Sequence, residues 1–213
     1  MHTMSDLMPP TPAGAVDAPA APPGRGNFTA QDWIDAALAH LVNHPIDAVR
    51  VDVLARQMQV TRGSFYWHFT DREDLLQRLL VSWKTTTTEQ LIARQKSHIR
   101  APDVAVLDLL QLPAHGRTAA QASKVEMAIR EWARRDDKAR EVLREVDSQR
   151  LGYMRECFEA LGHSAEEARH RAFTLYACII SDTLLVTGDD DLRRDARLSS
   201  VHALLISPPG SAA

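Results

Sequence analysis

Apolar side chains recur at helical spacing along most of the chain, and no stretch alternates as a β-strand would. Ile34, Leu38 and Leu41 form the inner stripe of a first helix, which Thr29 and Asp32 should begin as a capping box. The pattern therefore predicts an all-α fold of about nine helices. The other helices are expected near 51–58, from Arg62, after the Thr70/Glu73 capping pattern, and near 103–112, 118–135, 137–161, 165–187 and 190–206.

Polar and breaking residues divide the chain into three parts. Residues 1–27 contain six prolines among alanines and glycines, a composition that predicts a disordered tail because too little apolar surface is present to offset ordering. Residues 28–80 contain the first four predicted helices, and residues 81–213 the rest. Thr118 and Ser164 are expected at helix starts, and Gly162 and Gly188 just beyond helix ends.

Composition excludes several classes of protein. The net charge is −3, so any surface that binds an anionic partner must be local. The two cysteines lack metal-ligand spacing, and we expect no metal or cofactor. No apolar run approaches the roughly 20 residues of a membrane span, and the N-terminus lacks the pattern of a signal peptide. These features predict a cytoplasmic protein without membrane contact.

The segment VTRGSFYWHFTDREDLL, residues 60–76, places five ring-bearing residues in succession. On a wheel of 100° per residue, Phe65 and Phe69 share the face that meets the core. Gly63, Ser64 and Trp67 then lie on the opposite, outward face. A short helix, a tight turn and a second helix with a polar and aromatic outer face predict a helix-turn-helix, whose second helix enters the DNA major groove.

This segment resembles the signature of the TetR family of bacterial repressors, and the resemblance covers about residues 28–80. It implies a two-domain fold, with a helix-turn-helix domain followed by a variable helical domain that binds a ligand and dimerises. The matching positions are Val60, Thr61, Gly63, Phe65, Tyr66, His68, Phe69, Arg72 and Leu75.

The resemblance also implies a role for each residue of the DNA-binding face. Gly63 would allow close approach of the backbone. His68 has a second interpretation, as a ring that packs at the helix end for structural reasons. The remaining roles are phosphate contact for Thr61, Tyr66 and His68, base reading for Arg62, Ser64 and Trp67, and a clamp on the backbone for Arg72.

Two positions depart from the family pattern. Gln59 stands where the turn usually has glycine, and a positive φ is expected there at some cost. Arg50 stands where the second helix usually has a Ser or Thr N-cap, and we interpret it as an additional phosphate contact.

The predicted helix at 165–187 becomes apolar on nearly every side after residue 171, so a second copy of the chain is expected to cover it. In the family, the last two helices form a two-fold dimer interface, which here implies Ile180, Leu184, Val201 and Leu205. Asp182 lies inside this apolar run and could bond across the dimer, bond within the chain or face a pocket.

Large side chains on the C-terminal helices are candidates for an effector cavity, although ordinary core packing is the alternative for each of them. Threonines 85–88 are either tolerated surface residues or a softer segment between the two domains. The ligand candidates are Trp83, His115, Met127, Trp132, Tyr153 and Tyr176.

Together these features predict a homodimeric transcriptional regulator that binds a pseudo-palindromic double-stranded operator. By resemblance, it would be a repressor that a small-molecule effector releases. Two alternatives remain at this stage, a helical adaptor that no longer reads DNA and an enzyme that uses the C-terminal cavity. No nucleophile–base spacing, phosphate loop or metal motif favours an enzyme.

Overall fold

The computed structural model describes residues 28–98, 100–112 and 116–208, and the predicted tail at 1–27 lies outside them. The described chain is all-helical, with a 3₁₀ turn at Ile46–Ala48 and a π-helical segment at Thr85–Glu89. The helices are α1 (Ala30–Leu41), α2 (Val51–Gln57), α3 (Arg62–Phe65), α4 (Arg72–Lys84), α5 (Gln90–Ser97), α6 (Pro102–Gln111), α7 (Gly116–Ala133), α8 (Asp137–Ala160), α9 (Ala165–Leu184) and α10 (Asp191–Leu205).

Helix α4, the π-helical segment and α5 form one uninterrupted rod, because the backbone stays helical at Lys84, Thr85 and Gln90. The described chain therefore has nine helical rods, in agreement with the predicted all-α fold of about nine helices. Within the same ranges, none of the helices combines the length and the apolar character that a bilayer span requires.

Side-chain caps explain several helix starts. The capping box of Thr29 and Asp32 forms at α1, and Ser164 accepts from the backbone at the start of α9, both as predicted. The predicted cap of α4 is wrong by one residue. Asp71, rather than Thr70, is the N-cap, and its carboxylate accepts from the Asp74 amide, 2.9 Å away.

Three other predicted boundaries can be compared with the structure. Helix α7 begins at Gly116, before the predicted start at Thr118. Gly162 has a φ of +91° just after α8, as expected for a residue that ends a helix. The expectation for Gly188 is wrong, because α9 ends at Leu184 and the positive φ of Gly188 belongs to the following loop.

Two hydrophobic cores organise the molecule. The first joins α1–α4 and continues into α7 and α8 through residues such as Ile129 and Val146. The second joins α6, α8, α9 and α10 around Phe158 and Leu175. Since the first core crosses the predicted division at residue 80, burial does not separate the two domains there, and their boundary stays a prediction.

Asp182 bonds within its own chain, which decides among the three possibilities left open by the sequence. Its buried carboxylate pairs with Arg194 and, at 2.8 Å, with Arg197. Although burial opposes ionisation, the hydrogen bonds from these two arginines hold the pKa of Asp182 below its usual value. This ion cluster fixes α10 against the end of α9.

Candidate nucleic-acid interface and cavity

The turn between α2 and α3 explains the direction of α3. The Val60 amide donates to the Ala55 carbonyl at 2.9 Å, and the Gln59 amide donates to the Arg56 carbonyl at 3.2 Å. These bonds make a Schellman motif, which needs a left-handed residue at Gln59. The observed φ of +57° confirms the expected positive value.

The aromatic rings of the 60–76 segment separate as the wheel predicts. Phe65 and Phe69 are buried and stack with centroids 5.1 Å apart, and Phe65 also meets the edge of Trp33 at 5.2 Å. Trp67 is 86% exposed and Tyr66 is 55% exposed. A tryptophan left in water beside a packed core is typical of a surface that meets a partner.

The outward orientation predicted for Ser64 is wrong. Its hydroxyl oxygen is buried and has no hydrogen-bond partner among the described residues. The cause is the tight geometry around α3, where the Ser64 amide donates to Thr61 and the His68 amide to Phe65, three residues back. A wheel of 100° per residue does not describe such a turn. Thr61 occupies the N-cap position, but its side chain makes no capping bond.

Gly63 is exposed and the fold does not require a glycine there. A Cβ at this position would contact only the Thr61 hydroxyl, at 3.7 Å, which is an ordinary van der Waals distance. His68 is half-buried against the edge of Phe69, with centroids 6.5 Å apart. That contact fits the structural interpretation of His68 and leaves its phosphate contact a prediction.

The arginines of this region behave differently from one another. Arg62 is exposed on α3, and Arg50 lies at the surface with its Nε 3.1 Å from Asp52. Arg72 instead points inward. Its Nε donates to the Val49 carbonyl at 2.6 Å, and one Nη donates to the Ile46 carbonyl at 2.7 Å.

This inward orientation favours a structural role for Arg72, and the phosphate clamp stays a prediction. Its guanidinium ties the loop before α2 to the start of α4 through these two backbone carbonyls.

A cavity of about 550 Å³ lies between the π-helical segment and helices α5–α9. Met127, Tyr153 and Tyr176 line it, as predicted. Trp83 and Trp132 do not line it, because both are buried in the first core. The remaining ligand candidate, His115, lies outside the described residues.

One end of the cavity is polar, and Arg150 is at its centre. Its Nη1 donates to both oxygens of Glu126, at 2.8 and 3.0 Å, and to the Tyr176 hydroxyl at 3.2 Å. Its Nε donates to the Thr88 hydroxyl at 3.0 Å. The guanidinium carbon also lies 5.8 Å from the centroid of Trp83, which places this polar end of the cavity directly on the first core.

A second arginine completes the floor from behind. Arg130 donates to Glu126 at 2.9 Å, to Asp147 at 2.7 Å and to the Tyr176 hydroxyl at 2.6 Å. Burial raises the pKa of Tyr176 to about 12, so this hydroxyl stays protonated. It donates a hydrogen bond to Asp147 at 2.6 Å. We call Glu126, Arg130, Asp147, Arg150 and Tyr176 the polar floor.

The π-helical segment joins the polar floor to α4. Thr88 is fully buried, which corrects the interpretation of all four threonines as surface residues. Thr87 donates to the Trp83 carbonyl at 2.7 Å and, with Thr86 and Thr88, lines the cavity. Single π-helical turns are frequently found at functional sites, and this one lies where the helix-turn-helix region meets the cavity.

Sequence reasoning missed four members of the polar floor. Only Glu126 and Arg130 gave a signal, their i,i+4 spacing, which on its own suggests an exposed pair. Arg150 and Asp147 lie in the strongly charged helix α8 and have no local feature that distinguishes them from its surface residues.

The predicted dimer residues occupy different environments. Leu184 is 60% exposed, whereas Leu205 is only 5% exposed and belongs to the second core, so its assignment to an open interface is wrong. Ile180 and Val201 are half-buried against the same core. Three further apolar residues of α9 and α10 are exposed, namely Phe173, Leu192 and Leu204.

Residues 34–79 match the family model described as bacterial regulatory proteins, tetR family. Over 54 residues the chain is 43% identical to the HTH-type transcriptional regulator SrpR of Pseudomonas putida. It is also 43% identical over 54 residues to the uncharacterized HTH-type transcriptional regulator TtgW of the same species. These matches cover 25% of this chain, 25% of SrpR and 40% of TtgW.

Solved structures resemble the chain over most of its length. A transcriptional regulator from Rhodococcus sp. Rha1 aligns with a TM-score of 0.68 at 18% identity, over 84% of this chain and 94% of that one. The regulator FadR from Bacillus subtilis, solved in complex with stearoyl-CoA, aligns with a TM-score of 0.61 at 19% identity, over 82% and 96%. At these identities the likeness establishes the fold.

Proposed function

We propose that the whole chain is a DNA-binding transcriptional regulator. The basis is that its helix-turn-helix region matches the tetR family of bacterial regulatory proteins. The observation that carries the proposal is the exposed Trp67 in the turn just after α3, next to a core that Phe65 and Phe69 already fill. Arg62 and Trp67 would meet base edges in the major groove, while Tyr66 would meet phosphate.

The regulator would act as a homodimer on a pseudo-palindromic operator. Phe173 and Leu184 are exposed and lie eleven residues, or three turns, apart on one face of α9. A second copy of the chain would cover this face. Two-fold symmetry would then place two α3 helices in successive major grooves, about 10 base pairs apart.

We further propose that the protein is a repressor released by a small molecule in the cavity. The uninterrupted rod from α4 to α5 supports this, because its π-helical segment lines the cavity and bonds the polar floor through Thr88. A ligand that prefers a position of this rod unsuited to DNA would lower DNA affinity by its differential affinity for the two states.

The test is binding of the full chain to DNA from upstream of its own gene, compared with a random duplex of equal length. Fluorescence anisotropy across a salt series separates sequence-specific affinity from the counterion effect. We expect preference for the upstream DNA, and we expect Trp67→Ala to reduce that preference while the circular dichroism melt stays unchanged. Equal affinity for both duplexes at every salt concentration would contradict the proposal.

A further inference from the structure

The cavity is lined mainly by apolar side chains and has one polar end. Its apolar wall comes from residues such as Leu91, Ile92, Leu109, Met154 and Ile179. The volume, about 550 Å³, is within the range of roughly 300–1,000 Å³ in which proteins hold small molecules. Such a lining suits a mostly apolar molecule with one polar head group.

The charges of the polar floor cancel. Arg130 and Arg150 contribute two positive charges, and Glu126 and Asp147 contribute two negative charges, so the sum is zero. Every guanidinium nitrogen of Arg150 already donates within the chain, the weakest bond being 3.4 Å to the Thr87 hydroxyl. The floor therefore has no unbalanced charge to offer a ligand.

Hydrogen-bonding capacity nevertheless remains at the floor. Glu126 Oε1 accepts from both arginines, whereas Oε2 accepts only from Arg150, at 3.0 Å. Ser123 lies three residues earlier on α7 and also lines the cavity. Among the described residues its hydroxyl has no hydrogen-bond partner, so this hydroxyl and Oε2 are available to a ligand.

We propose that the cavity binds an uncharged, largely apolar molecule whose hydroxyl head group hydrogen-bonds with Glu126 and Ser123. This inference rests on the proposed function, in which the cavity receives the effector. The ligand hydroxyl would donate to Oε2 of Glu126, which accepts one other hydrogen bond, and would accept from Ser123. The apolar part of the ligand would fill the remaining space.

Charged head groups of the same size would be disfavoured. An anion would have to displace Glu126 from Arg150, which would leave a buried carboxylate with one partner fewer. A cation at Glu126 would lie beside two arginines. Arg94 also lines the cavity, but it is exposed, so water screens its attraction for an anion.

Three probes with the same ten-carbon chain test the head group, namely 1-decanol, decanoate and decylammonium at neutral pH. Their binding to the full-length protein is measured by isothermal titration calorimetry in the absence of DNA. We expect decanol to bind about tenfold or more tightly than either ion, because one unmet polar interaction corresponds to roughly this factor. Equal or tighter binding of decanoate or decylammonium, or no binding of any probe, would overturn the proposal.

Two variants locate the head group. Glu126→Gln leaves two arginines opposite one carboxylate, so decanoate should bind about tenfold more tightly than to the wild type. Ser123→Ala should weaken decanol by about three- to tenfold, the usual effect of losing one neutral hydrogen bond. Glu131→Gln, on the exposed side of α7, is the matched control and should change neither affinity.

Circular dichroism melts of each variant verify folding. If Glu126→Gln does not fold, Ser123→Ala is a sufficient test by itself. It should fold, because Ser123 has no hydrogen-bond partner to lose among the described residues. Unchanged decanol affinity in Ser123→Ala would overturn the assignment. These calorimetric measurements contain no DNA, so a failure of the proposed DNA-binding function and a failure of the proposed ligand site can be told apart. Failure of operator binding would leave these affinities unaffected.

Discussion

Arg72 provides the sharpest test of how the helix-turn-helix region is built. The family resemblance implies a phosphate clamp at this position, whereas the structure has its guanidinium bonded to the carbonyls of Ile46 and Val49. These two interpretations predict different results for Arg72→Ala. A structural tie predicts a loss of stability with little effect on the salt dependence of DNA binding, and a clamp predicts the reverse.

The expected loss follows from two hydrogen bonds with a charged donor. Each such bond contributes about 1.5–3 kcal/mol when it is buried. Arg72 is only half-buried, so water can replace part of both bonds, and we expect a total of about 2–3 kcal/mol, below the roughly 3–6 kcal/mol that two full bonds would contribute. Arg72→Lys can make one of the two bonds and should lose about half as much.

Urea denaturation followed by circular dichroism measures this loss, with Arg78→Ala as the matched control. Arg78 belongs to the same helix, but it is half-exposed, pairs with Asp74 and lies 5.1 Å from the centroid of the Phe69 ring, so its removal should cost about 1 kcal/mol. Binding to random duplex across a salt series gives the second readout. An unchanged unfolding midpoint for Arg72→Ala, together with a salt slope reduced by about one unit, would refute the structural tie.

Three further predictions concern separate parts of the molecule. Gly63→Ala should keep or slightly raise stability, since the fold has room for the methyl group, yet lower operator affinity in anisotropy measurements. Leu184→Glu should give monomers in light scattering, whereas Val104→Glu, at an exposed apolar residue of α6, should leave the oligomeric state unchanged. Burial lowers the pKa of His40, so the free energy of unfolding should decrease as the pH falls below 6.5, and urea titrations of His40→Gln should lack that decrease.

The hydrophobic pattern predicted the helices well because each helix must bury one stripe, and that requirement is visible locally. The last three predicted helices, 137–161, 165–187 and 190–206, end within three residues of the observed bounds. The orientation of Trp67 could be predicted for the same reason, because Phe65 and Phe69 had already taken the inner face. Ser64 could not, since a single tight turn does not follow the periodicity of a longer helix.

Long charged side chains were the least predictable part of the structure. The sequence around Arg72 and Arg150 looks like that around the solvated arginines of α8. What distinguishes them is their hydrogen-bond partners, which lie 23–26 residues away in sequence for Arg72 and 24–63 residues away for Arg150. Such partners depend on how the helices pack, which the spacing of charges along a single helix does not determine. The prediction that Leu205 lies at the dimer interface was wrong for a related reason, since the burial of Leu205 depends on α6 and α9 as well as on α10.

The threonine run at 85–88 shows how a locally unfavourable sequence can mark a site. Four β-branched residues in succession lose side-chain freedom in a helix, so the local rule predicts a weak α-helix there. The chain widens into a π-helical turn instead, which buries Thr88 against Arg150 while Thr87 bonds the end of α4. The unfavourable residues are those that join the polar floor to the helix-turn-helix region, so local preference yields here to the packing between the two cores.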